Sequence, residues 1–335
     1  MMNSEQGELK FLGFFGILKE SSKIIFSWRK IFSQITLALI LPLSFIFLAH
    51  IQISQFIFVD ILRDQNALQN STGTPPYSDK LSGTVSSKWV AFWLFKAAYF
   101  IVFLILALLS TSAVVYTVAC IYTGKEISFK KVMSVVPKVW KRLIVTFLWT
   151  FAIVMIYNLV AVFCLLLPVL IIYMGFSNVG VAIFVILFLL YLAGLIYIAV
   201  VWQLAGVVSV LEDVYGIQAM KKSKALIKGK MGVALALFLL LILCFGGIQT
   251  LFQFEVAFFW SLSVGMRILI GIVCLLLLFN VILFGLVSKT VLYFVCKSHH
   301  HENIDKSILA DHLEVYVGEY LPLKSKDVQL EQSHV

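Results

Sequence analysis

Charge is what this sequence has least of. Asp, Glu, Lys and Arg make up 13% of its 335 residues, against about 25% in a soluble domain. Between Leu143 and Leu211 there is none at all. A buried core cannot account for an uncharged run of that length, because one helical crossing of a bilayer needs only about 20 apolar residues. Cysteine is also sparse: Cys120, Cys164, Cys244, Cys274 and Cys296 are the whole complement, and their placement implies no disulfide framework. Short alternating segments of the kind that build a membrane barrel are absent. So are Gly-rich phosphate loops, paired-histidine metal motifs and a nucleophile elbow. No catalytic, cofactor-binding or metal-binding set emerges, and the chain is expected to be non-enzymatic.

What remains is apolar. Hydrophobic residues form 61% of the chain, and in lipid a spanning backbone satisfies its own hydrogen bonds as helix. The sequence therefore predicts an all-α integral membrane protein with about six transmembrane helices, near 31–50, 97–121, 143–172, 179–210, 232–253 and 268–288. Together they form a membrane domain over 31–298. Residues 1–30 read as a cytosolic amphipathic segment, 51–88 as a long polar loop, and 299–335 as a cytosolic tail. No cleavable signal peptide is expected, so the first span acts as an anchor. The glycines and Asn of Gly175–Gly180 predict the turn between spans three and four. Pro42 and Pro168 fall inside spans, where they favour kinks.

The net charge is +9. It reads as a membrane-surface property rather than affinity for nucleic acid, because the cations cluster beside apolar spans. Twenty-one of the 26 Lys and Arg residues fall in the amino-terminal segment, the 122–142 and 212–231 loops, and the stretch from Lys289 onward. That imbalance predicts cytosolic termini, in an endomembrane such as the endoplasmic reticulum or in the plasma membrane. Asn70-Ser71-Thr72 is a glycosylation acceptor in the loop assigned to the opposite side.

Spans one, three and five are each preceded by a basic amphipathic stretch. The clearest sets Phe129, Val132, Met133, Val136, Val139, Trp140 and Leu143 against Lys130, Lys131, Lys138, Lys141 and Arg142. The first sets Phe14, Ile17, Leu18, Ile24, Ile25 and Trp28 against Lys19, Lys23 and Lys30. The third sets Ala219, Met220, Leu226 and Ile227 against Lys221 and Lys228. The fold expected is thus three transmembrane hairpins, each led by a basic helix lying in the membrane interface. Lys130, Lys131, Lys138, Lys141 and Arg142 are the candidates for contact with anionic lipid headgroups. Cys296 is a candidate for palmitoylation. The tail around 304–320 reads as a short amphipathic helix that docks on the bundle or binds a protein partner. His299, His300 and His301 are expected to be solvated, and Lys96 to snorkel outward. Asn158, Gln203, Gln249 and Asn280 are neutral polar residues within spans, suited to joining helices.

Several motifs carry a resemblance. Ile121-Tyr122-Thr123-Gly124-Lys125, Val136-Pro137-Lys138-Val139-Trp140-Lys141-Arg142-Leu143, Val210–Gly216 with Ala219–Ser223, and Tyr293–Ser298 resemble a plant-specific, largely uncharacterised family of six-helix transmembrane proteins. More distantly, Glu212, Gly216, Ala219 and Ser223 are similar to a pattern in the non-catalytic membrane region of bacterial glycerophosphodiester phosphodiesterases. The resemblance implies a fold and a membrane location, and no activity. The reading is a multi-pass protein of membrane organisation, trafficking or lipid handling. The alternative is a small-solute transporter or channel with a polar path through Asn158, Gln203, Gln249 and Asn280.

Overall fold

A computed structural model describes residues 12–70, 75–125, 127–175, 177–258 and 263–300. Among them there is no strand. Nine α-helices follow in order: α1 (Phe14–Ser27), α2 (Arg29–Ile35), α3 (Leu41–Asn70), α4 (Pro75–Thr123), α5 (Phe129–Tyr173), α6 (Ser177–Leu211), α7 (Ile217–Ile227), α8 (Met231–Phe252) and α9 (Val264–His299). Two π-helical turns, Thr36–Ile40 and Gln253–Phe258, join α2 to α3 and extend α8. Six helical stretches are long and apolar enough to cross a membrane: Arg29–Leu68, Gly83–Thr123, Val139–Tyr173, Asn178–Leu211, Met231–Val256 and Val264–His299. The chain is a multi-pass helical membrane protein.

Each long helix packs on its neighbour in sequence, α3 on α4, α5 on α6, and α8 on α9. α9 also touches α1, α3, α4, α6 and α7, and so forms the axis of the bundle. Its carboxyl-terminal half is almost wholly buried, from Leu283 through Tyr293 and Phe294 to Cys296. The main core gathers where α1, the start of α5, α7 and the end of α9 meet, around Ile17, Phe32, Val118, Val136, Leu204 and Val291. A second, smaller core forms toward the other end from Leu48, Ile248, Phe252, Cys274 and Leu278. Small residues let α4 approach its neighbours: Ala113, Thr117 and Ala119 have no accessible surface. The buried hydroxyls of Ser44, Ser112 and Thr117 donate to carbonyls one turn back, which satisfies them inside the helix. By contrast, α5 and α6 expose Leu148, Phe151, Ile156, Phe163, Leu189 and Leu190. Surface of that kind suits lipid.

The structure departs from the sequence reading in three places. Residues 51–70 and 75–88, read as loop, are helical. α4 is 49 residues long, roughly 74 Å at 1.5 Å per residue, so it outruns a hydrocarbon core of about 30 Å. Where α3 and α4 run on, Lys88 Nζ holds Asp60 and Asp64 at 2.6 and 2.8 Å. Second, the basic stretch before span three is not a separate helix. α5 runs unbroken from Phe129 to Tyr173 through Pro137 and Pro168. Third, the turn after span three is shorter than 175–180. It centres on Gly175 at φ +94°, which only glycine adopts freely, and α6 begins at Ser177.

Candidate functional site

The three basic amphipathic stretches meet at one end of the bundle. Their apolar faces are those read from the sequence, but protein covers them. Ile17 and Ile24 of α1, Val132, Val136 and Val139 of α5, and Ala219, Leu226 and Ile227 of α7 all join the main core. The lysines opposite stay outside: Lys19, Lys23, Lys30, Lys130, Lys141, Lys221, Lys224 and Lys228 are exposed. So are Phe15 and Phe26 on α1, at 80% and 77%. Of the five candidate lipid contacts, Lys130 and Lys141 are exposed and Lys131 is half-buried. The side chain of Lys138 lies outside the described residues. Arg142 donates to Asp213 Oδ1 at 2.6 Å.

Glu212 organises this end. Its carboxylate, with 12% of the side chain exposed, takes Lys222 Nζ at 2.5 Å and Lys297 Nζ at 3.2 Å. The Tyr293 hydroxyl donates to Glu212 Oε1 at 2.5 Å. One acidic group therefore joins the end of α6 to α7 and α9. Burial pushes the carboxyl toward its protonated form. The hydrogen bonds from Lys222 and Tyr293 and the charge of Lys297 outweigh that and hold it below the usual carboxylate range.

The other members of the Glu-Gly-Ala-Ser pattern dock α7. Gly216 has φ +64°, and its N–H donates to Thr146 Oγ1 at 2.8 Å. A Cβ there would lie 3.0 Å from the Trp149 ring. Ala219 is fully buried. Ser223 donates to the Val201 carbonyl at 2.7 Å, across to α6. The residues that carry the distant resemblance thus hold α7 in place against α5, α6 and α9.

Residues 2–333 match the family described as Domain of unknown function (DUF8558). The chain belongs to the DUF8558 family. No curated protein and no solved structure matches it.

The remaining candidates of the DUF8558 chain are scattered. Cys296 is fully buried, so acylation there requires the end of α9 to open. Asn70 is the last described residue of α3; its side chain, Ser71 and Thr72 lie outside the described residues, as do His301 and the 304–320 segment. His300 is exposed, as expected, and also places Nε2 at 3.0 and 2.8 Å from the carbonyls of Leu226 and Lys228, which caps α7. Among the described residues no cluster of three or more metal-ligating side chains occurs. Lys96 does not simply extend outward. It lies 2.9 Å from His50 Nε2, and the His50 ring stacks on Tyr99 at 3.6 Å. The four neutral polar residues go separate ways. Asn158 accepts from Tyr191 across the α5–α6 contact. Asn280 is exposed and bonds only its own helix. Gln249 lines a cavity with His50 and Lys96, and Gln203 lines two others.

Lys289 is the residue that sequence reasoning misplaced. Counted with the cations beyond the last span, it sits inside α9, ten residues before that helix ends. It lines the same two cavities as Gln203. The signal was present: Ile268–Val287 is uninterrupted by charge, yet the apolar pattern resumes at Val291–Val295. A lysine between two apolar runs marks the interior of a helix as readily as its end.

Proposed function

We propose that this protein is a non-enzymatic component of membrane organisation or lipid handling whose basic end faces the cytosol and gathers anionic lipid in that leaflet. The carrying observation is the rim of exposed lysines on α1, α2, α5 and α7, set around a core that fixes their spacing. Each Lys near an anionic bilayer surface contributes about 1 kcal/mol, and eight on one surface make a strong local field. Phe15 and Phe26, exposed beside Lys19 and Lys23, supply the aromatic insertion that interfacial helices use. The three basic stretches act as preformed parts of the bundle, each leading into a transmembrane hairpin. The dispersal of Asn158, Gln203, Gln249 and Asn280 weighs against a pore built from them.

The test is lipid enrichment. The full chain is reconstituted in phosphatidylcholine with a minority of phosphatidylserine, excised with its lipid annulus by a membrane-solubilising copolymer, and the retained lipid quantified. Wild type is expected to enrich phosphatidylserine over bulk, less so at high salt. A variant with Lys130, Lys141, Lys221 and Lys228 changed to Gln should fall toward bulk composition. Equal enrichment in the two proteins refutes the proposal.

A further inference from the structure

Among the described residues no counter-charge faces Lys289. Among the described residues it makes no hydrogen bond and no ion pair, and it is half-buried between two cavities of about 240 and 230 Å³. The first lies between α4, α5, α6 and α9, and the second between α6, α8 and α9. Gln203 reaches both cavities and is likewise without a partner. The other polar groups lining them are occupied: Thr111 donates to the Ala107 carbonyl, and Thr146 is shared among Arg142, Ser209 and Gly216. The remaining walls are aliphatic and aromatic.

Depth matters. Lys289 lies eight residues before Lys297 on α9, and Gln203, on α6, lies nine before Glu212, so both sit roughly 12–14 Å inward of the Glu212 cluster. A lysine at that depth ordinarily snorkels back to water. Here the helix runs against it. Side chains lean toward the amino terminus of their helix, and the amino terminus of α9 lies at the end away from the basic rim. Lys289 accordingly shares its second cavity with Val281, Ile282 and Gly285, one to two turns deeper. An ionisable group held inside the membrane without a partner is costly, and such groups mark ligand sites.

We propose that Lys289 and Gln203 bind the carboxylate of a long-chain fatty acid whose acyl chain starts in the adjoining cavity and continues past Phe100 and Trp202 into lipid. The site is separate from the lysine rim and stands whether or not the rim gathers anionic lipid. Three features select this ligand. One ammonium matches one negative charge, whereas a phosphate monoester carries about −1.5 to −2. The two free donors, Lys289 Nζ and Gln203 Nε2, suit the two oxygens of a carboxylate. Phe100 and Trp202 at the edge of the larger cavity are 46% and 40% exposed, so an acyl chain enters sideways from lipid, as a free inorganic anion would not.

The test titrates radiolabelled palmitate against the full chain in phosphatidylcholine nanodiscs. Saturable binding is expected. Lys289→Met should weaken it at least tenfold, and Lys289→Arg should hold it within a few-fold. Gly206 lines the larger cavity with open space where a side chain would grow, so Gly206→Leu fills the cavity, leaves the charge in place, and should also abolish binding. Hexadecanol, acetate and phosphatidylglycerol serve as competitors for chain alone, charge alone and phospholipid anion; none should displace palmitate at equal concentration. The proposal fails if wild type does not saturate, if Lys289→Met or Gly206→Leu binds like wild type, or if phosphatidylglycerol competes equally. Thermal unfolding of each variant checks its fold. If Lys289→Met does not fold, Lys289→Arg with Gly206→Leu decides: retention in the first and loss in the second sustain the proposal, and any other pair of results ends it.

Discussion

Replacing Glu212 with Gln should loosen the basic end of the bundle, and the structure sets the size of the effect. The amide keeps the shape and removes the charge. Lys222, 34% exposed, can turn to water, but Lys297, 19% exposed, is left facing a neutral oxygen. Hydrogen bonds to charged groups contribute about 1.5–3 kcal/mol, and breaking a buried pair from one side costs about 3–5 kcal/mol. Since one of the two lysines is readily resolvated, about 2–3 kcal/mol is the expected loss. For a chain of this size that lowers the unfolding midpoint by roughly 4–6 °C, taking about 2 °C per kcal/mol. Tryptophan fluorescence during heating in detergent at pH 7 measures it, with Lys221→Gln, exposed beside Lys222 on α7, as the control expected to move less than about 0.5 kcal/mol. The pH dependence follows from the sign of the shift. The carboxyl of the folded protein is held below its ordinary value, so its contribution is complete above roughly pH 4.3 and is lost as pH falls through the folded pKa. The gap between wild type and variant should therefore close on acidification. A variant no less stable than Lys221→Gln, or a gap that widens in acid, would refute this account of the cluster.

Two other outcomes are expected. Gly216→Ala forces a side chain into a left-handed backbone against Trp149, so it should destabilise by more than about 1 kcal/mol in the same heating assay. In sealed vesicles with their cytosolic face outward, a membrane-impermeant maleimide should label Lys141→Cys directly and Ser87→Cys only after detergent. The reverse pattern would invert the orientation.

The six crossings were legible because nothing but a bilayer explains uncharged runs of that length, and each predicted span falls inside a helix of the structure. Helix ends were less legible. Residues 51–70 carry polar side chains, yet they continue a helix whose partner across the gap supplies Lys88 to Asp60 and Asp64; such a cross-helix pair has no trace in local sequence. The amphipathic faces could be read, because burial at Ile17, Val136 and Leu226 follows the helical period. What covered them could not, since lipid and a neighbouring helix ask for the same apolar stripe. Lys289 was hidden for a related reason. Whether a lysine ends a span or turns inward depends on which helices surround it, and α4, α6 and α8 are far away in sequence.

α5 passes from the surface to the far side without a joint. Its 45 residues make a rod of roughly 67 Å. Pro137 leaves one rung out of the hydrogen-bond ladder, but Val135, Val136 and Val139 on either side are clamped in the core, so the weak point is not free to flex. Sideways motion of Lys130 or Lys141 is therefore handed on past Pro137 into the immersed shaft, and the headpiece tilts only as that shaft tilts with it.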